Sequence, residues 1–138
     1  MSIVSEKFTV NTRGFTDLID ITEKIKVIID NKNIKDANLM VYVKGSTASI
    51  VTLEFEPGLL KDLPIMYEKI IPSNREYNHD ITWKDGNGYA HLRASLSGNS
   101  IFVPIINHNL ELGTWQQIVL IDFDNKPRVR EIILQFLY

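Results

Sequence analysis

Apolar and polar positions alternate at the start of the chain. Val4, Phe8 and Val10 fall on one side of an extended segment, and Ser5, Lys7 and Thr9 on the other, as in a strand with one buried face. From residue 20 the period changes. In "DITEKIKVIIDNKN", Ile21, Ile25, Ile28 and Ile29 recur at helical intervals, Asp20 and Glu23 stand at capping-box spacing, and "DNKN" ends the pattern; an amphipathic helix is predicted. "ANLMVYVKG" and "TASIVTLEF" are β-branched and mostly apolar, and Gly45–Ser46 between them predicts two consecutive strands with a tight connection. Pro57 and Gly58 end the second, and "LLKDLPIMYEKII" reads as a helix that Pro64 is placed to interrupt or kink. From Pro72 to Gly88 periodicity dissolves into a polar loop with Tyr77 and Trp83 as its anchors; loops of this length in small domains are commonly functional or mobile. "YAHLRASL" is compatible with a short helix, and "SIFVPII", "QQIVLIDF" and "REIILQFLY", with turns at "NHN" and "DNKP", predict an antiparallel meander. The class is α+β.

Composition narrows the picture. A chain of 138 residues suits one domain spanning 1–138, and 44% hydrophobic with 23% charged residues is ordinary globular usage. A net charge of −2 with no basic run argues against nucleic acid as a partner. The absence of cysteine removes disulfides, thiolate metal sites and cysteine nucleophiles. No apolar run reaches the ~18 residues of a membrane span, and the N-terminus lacks the pattern of a secretory signal, so a soluble cytoplasmic protein without a membrane partner is expected.

The candidate chemistry centres on "HDITWKDGNGYAHLRAS". His79 and His91 flank the "WKDGNG" turn, and imidazoles are common metal donors; a hydrogen-bonded structural pair has the same appearance. "DGNG" matches no phosphate-loop motif and reads as a turn, and His108, in "INHNL", reads as a hairpin-turn residue. The hydroxyls of "KGSTAS" offer donors to an anion, as would a small polar turn. Glu54 and Glu56, two apart on the predicted strand, share a face. If that face is buried, one carboxylate needs a partner; if it faces water, both are surface charges. Trp115 opens an apolar strand as a core anchor. Arg128 and Arg130 share a face of the last strand and could grip a phosphate, or simply be solvated.

These segments in order, above all "NHDITWKDGNGYAHLRASLSGNSIFVP" and "LELGTWQQIVLIDFDNKPRVREI", closely resemble the YjbQ-like family, also described as secondary thiamine-phosphate synthases. The resemblance covers nearly the whole chain and implies a mixed β-sandwich with two or three helices, assembled as a homotrimer with polar pockets near subunit contacts. It implies an activity, as a main or a side reaction, that joins hydroxymethylpyrimidine diphosphate to a thiazole phosphate, giving thiamine phosphate and pyrophosphate. His79, His91, Glu54 and Asn87 then fall on its catalytic segment. Ser46, Thr47, Arg93, Gln116 and Arg130 would hold the phosphorylated substrate, with Arg130 a candidate to complete a neighbour's site. His79 and His91 would be the ligands for a divalent metal, Mg or Zn, if the site takes one. Two departures stand out. Many members carry a histidine where this chain has Gly45, so a three-histidine site built from that position cannot form, and His108 lies in a different element.

Two further functions remain open on the residues. One is a non-catalytic binding protein for a small anionic or phosphorylated metabolite, with the histidines as hydrogen-bonding groups. The other is a hydrolase with a histidine-bound metal, which ranks last because no second acidic cluster stands at recognisable spacing.

Overall fold

The structure is a computed structural model covering residues 1–138. Its strands are β1 (Ile3–Thr12), β2 (Asp17–Asp20), β3 (Ala37–Lys44), β4 (Ala48–Glu54), β5 (Ser100–Ile106), β6 (Asn109–Leu110), β7 (Gln116–Asp122) and β8 (Arg128–Leu137). The helices are α1 (Thr22–Lys32), α2 (Pro57–Ile70), α3 (Asn78–Trp83) and α4 (Gly88–Ser97). A five-stranded sheet runs β1-β8-β3-β5-β6 and a three-stranded sheet β2-β7-β4, with every pairing antiparallel. This is an α+β sandwich with four helices; the addition to the expected two or three is the six-residue α3.

Between the sheets lies the main core. Leu39, Val41, Val43, Ile132, Leu134 and Phe136 line the large sheet's inner face, Ile50, Ile118 and Leu120 that of the small sheet, and Ile25 and Ile29 enter from α1. Each such side chain removed from water contributes about 1.5–3 kcal/mol. The small sheet is a middle layer, because Val119 and Ile121 on its other side pack with Tyr67 of α2 and Tyr89, Ala90 and Ala94 of α4. This explains why "IVLI" in β7 is continuously apolar while β1 alternates: β7 is covered on both faces.

Several local expectations are corrected. The last three long strands form no meander. β5 pairs with β3, β7 joins the other sheet, and β8 sits between β1 and β3. β3 and β4 likewise belong to different sheets, so Gly45–Thr47 is a crossing between layers and not a hairpin turn. Asp20 and Glu23 form no capping box. Ile21 is the N-cap and Asp20 is held in β2 opposite Val119, so its carboxylate reaches only the Thr22 N–H, at 2.9 Å. α2 runs through Pro64. Glu56 does not lie on a strand: it caps α2, accepting from Gly58 N–H at 2.8 Å and from Leu59 N–H, with Pro57 in the first turn.

Within residues 72–88, α3 is tied down by one carboxylate. Asp80 accepts from Tyr77 N–H at 2.9 Å and Gly88 N–H at 2.8 Å, which joins the start of α3 to the start of α4. Those two backbone donors hold the Asp80 carboxyl below its ordinary range. Gly88 permits the approach, since a Cβ there would lie 2.7 Å from Tyr77 Cβ.

Candidate functional site

The crossing at Gly45–Thr47, the end of β7, the start of β8 and the α3–α4 corner meet at one end of the sandwich. Two buried carboxylates organise the meeting. Asp122 accepts from Arg130 Nε and Nη2 at 2.7 and 2.9 Å, a bidentate ion pair, and from Thr12 Oγ1 at 2.6 Å. Asp124 accepts from Arg128 Nε at 2.7 Å, Thr47 Oγ1 at 3.2 Å and Asn87 Nδ2 at 3.1 Å. Burial alone would raise the Asp124 pKa, but the hydrogen bonds from Asn87, Asn125 N–H and Arg128, with the Arg128 charge, hold it at about 2. Neither acid was singled out from the sequence. The available signal was "DFD", charge placed at the end of a strand too apolar to leave it solvated.

Asn87 transmits this charge pattern outward. It stands at the N-cap of α4, yet its side chain caps nothing; instead Oδ1 lies 3.1 Å from His79 Nε2. Ionised Asp124 can only accept, so Asn87 Nδ2 donates to it, Asn87 Oδ1 faces the ring, and His79 Nε2 must carry the proton. Asp85 Oδ1 lies 3.3 Å from the same nitrogen. His91 sits beside this ring at a centroid distance of 4.3 Å. Burial, then the neighbouring His79, lower its pKa from the ordinary 6.5, which favours a neutral imidazole at neutral pH.

These groups border a cleft in two connected parts that share Gly45, Ser46 and His91. One, of about 360 Å³, is bordered by His79, Trp83, Asn87, Arg128 and Arg130. The other, of about 480 Å³, is bordered by Ala48, Ala94, Ser95 and Gly98. His79, His91, Asn87, Ser46, Thr47 and Arg130 are therefore brought together, although Thr47 Oγ1 is engaged by Asp124 and Arg130.

Three expected residues lie elsewhere. Arg93 points away, because two residues on a helix turn the side chain about 200° from His91. It is 2% exposed and is held by the Ile71 carbonyl, Thr16 Oγ1 and Glu68, against the ring of Tyr89. Glu54 and Gln116 face each other across β4 and β7 at the far end of the sheet, about 20 Å along the strand from Thr47. Glu54 is exposed, and Gln116 accepts from Gly113 N–H and donates to Thr52 Oγ1. Trp115, at 71% exposure, anchors no core. His108 occupies the β5–β6 turn with φ 67°, as its sequence context suggested.

No set of three or more His, Asp or Glu side chains comes together in a way that could hold a metal ion. At the His79–His91 pair only two donors stand together, because Gly45 supplies no ligand and His79 Nε2 is a proton donor to Asn87, which leaves one lone-pair nitrogen on each ring.

The fold and site define a class: a two-sheet α+β domain with a buried aspartate–arginine cluster beneath a histidine-bordered cleft. The sequence profile described as UPF0047 protein YjbQ-like matches residues 6–138, and the chain belongs to that family. A UPF0047 protein of Archaeoglobus fulgidus is 37% identical over 131 residues, covering 95% of this chain and 99% of the relative. One from Methanothermobacter thermautotrophicus is 36% identical over 132 residues, covering 96% and 90%. Among solved structures, a YbjQ-like protein of unknown function from Sulfolobus solfataricus P2 superposes with a TM-score of 0.91 at 30% identity, covering 98% of this chain and 96% of that one. A hypothetical protein from Aeropyrum pernix K1 gives 0.90 at 29% identity, covering 97% and 98%.

Proposed function

We propose that the protein binds a small phosphorylated molecule in this cleft. The observation that carries the reading is the set of hydrogen-bond donors converging there: the guanidinium groups of Arg128 and Arg130, the Ser46 hydroxyl and the His91 imidazole, with His79 beside them and Asp85 the acidic group on the rim. Donors held by a rigid frame meet a phosphate with little reorganisation. A saturable change in tryptophan fluorescence on adding hydroxymethylpyrimidine diphosphate, abolished in Trp83→Phe, is expected. A flat titration, with no heat of binding for that compound or for inorganic pyrophosphate, overturns the reading.

A second, more specific reading is synthesis of thiamine phosphate, favoured by the two-part shape of the cleft, which gives room for a diphosphate beside a second ring. The thiazole nitrogen attacks the methylene carbon of hydroxymethylpyrimidine diphosphate, the carbon–oxygen bond breaks, and pyrophosphate leaves with the electron pair. No base is required. The arginines would stabilise charge on the departing oxygens, and the cleft would align the two rings. Purified protein supplied with both precursors and magnesium should form thiamine phosphate above the protein-free background, as read by chromatography; formation at the background rate sinks this reading and leaves the first standing.

The protein is also proposed to act as a cytoplasmic homotrimer. The support is the large sheet's outer face, where Met40, Phe102 and Ile133 point away from the core and Phe102 is 60% exposed. Independently, no helix is long and apolar enough to cross a membrane.

A further inference from the structure

How the cleft meets its anion is written in the packing of Gly45 on Arg130. Gly45 has φ +135°, and a Cβ built there would lie 2.6 Å from Arg130 Nη1 and 3.6 Å from Cζ. A side chain at this position would cover that edge of the guanidinium; glycine leaves it bare. The other edges are engaged, Nε and Nη2 by Asp122 and Nη2 again by Thr47 Oγ1 at 2.7 Å. Nη1 makes no hydrogen bond within the chain and is not closed off from solvent. The result is a guanidinium locked in place by a fully buried aspartate, with one two-proton edge facing the cleft.

A cation bridging protein to phosphate would need ligands the chain does not assemble. His79 Nε2 carries a proton, Asp122 and Asp124 are saturated by arginines and backbone donors, and no third ligand stands at residue 45.

Resting on the reading that the cleft holds a phosphorylated molecule, we infer that Arg130 Nη1, bared by Gly45, binds a diphosphate oxygen directly, and that this protein takes up inorganic pyrophosphate without a divalent cation. Gly45 is on this view the residue that determines the mode of anion recognition, and Arg130 the group that touches the ligand.

Calorimetry of the full chain with inorganic pyrophosphate, in EDTA and then with magnesium or zinc, tests the inference. Saturable binding of similar affinity in both buffers is expected. Gly45→Ala and Arg130→Lys should each weaken it by about tenfold or more, the effect of losing a charge-assisted hydrogen bond. Should either variant fail to fold, guanidinium nitrogen spectra of the unaltered protein carry the test: pyrophosphate should shift the Arg130 Nη signals in EDTA. Binding that appears only with a metal, wild-type affinity in both folded variants, or unmoved Arg130 signals would each overturn the inference and leave the phosphorylated-ligand reading intact. No binding in either buffer, with no response to the organic diphosphate, would bring down both.

Discussion

Asp124 is the residue on which most of the site depends. Its carboxyl is held at about 2 in the fold against an ordinary 3.8. A depressed carboxylate stabilises the fold fully above 3.8, and the contribution is lost as pH falls from 3.8 through about 2. The shift corresponds to about 2 kcal/mol at neutral pH. Denaturant unfolding across this acidic range should lose stability steeply in the wild type and less steeply in Asp124→Asn, which should also be less stable at neutral pH; parallel curves would contradict the assignment. Arg93 provides the opposite case. Arg93→Met removes donors from the Ile71 carbonyl and from Glu68, which should cost about 2–4 kcal/mol, while leaving pyrophosphate affinity unchanged in calorimetry. A folded variant with weakened binding would return Arg93 to the cleft. The sequence motif placed Arg93 beside His91 and could not distinguish the two, because which face of α4 meets solvent depends on where α2 packs.

α3 is the most conditional of the elements. It has six residues and no buried side chain, too few to be stable alone, and it presents His79 and Trp83 to the cleft only because Asp80 ties its first turn to Gly88. Asp80→Ala removes acceptors from Tyr77 and Gly88 N–H and so loosens the first turn of α3. Amide hydrogen exchange across residues 77–88 should accelerate, with the strands unaffected; unchanged protection would show that α3 is held by other contacts. "NHDITW" carries no helical period, so in the sequence this segment reads as loop, whereas "DGNG" was legible as a turn because Gly86 takes φ +67° and glycine tolerates that region.

Over the whole molecule, the proposed trimer predicts a solution mass three times that of the chain by light scattering, and Phe102→Glu, a charge set on the outer sheet face, should reduce it to that of one chain without lowering secondary structure. A monomeric wild type, or a variant that still assembles, would move the interface elsewhere or remove it. Local pattern alone determined that β1, β3, β4 and α1 exist and which of their faces are apolar, since alternation and helical period are properties of consecutive residues. It also placed the two histidines on either side of a turn. Tertiary structure decided which strands are neighbours, and so dissolved the expected meander and divided β3 from β4. It also decided what each charge meets. Arg130 reaches Thr47 across 83 residues and Asp122 reaches Thr12 across 110, and it is the burial of Asp122 and Asp124 beneath two sheets that makes those pairings obligatory. Glu54 and Gln116 show the same limit from the other side: a strand carries them the length of the sheet from the cleft, a separation that spacing along the chain does not encode.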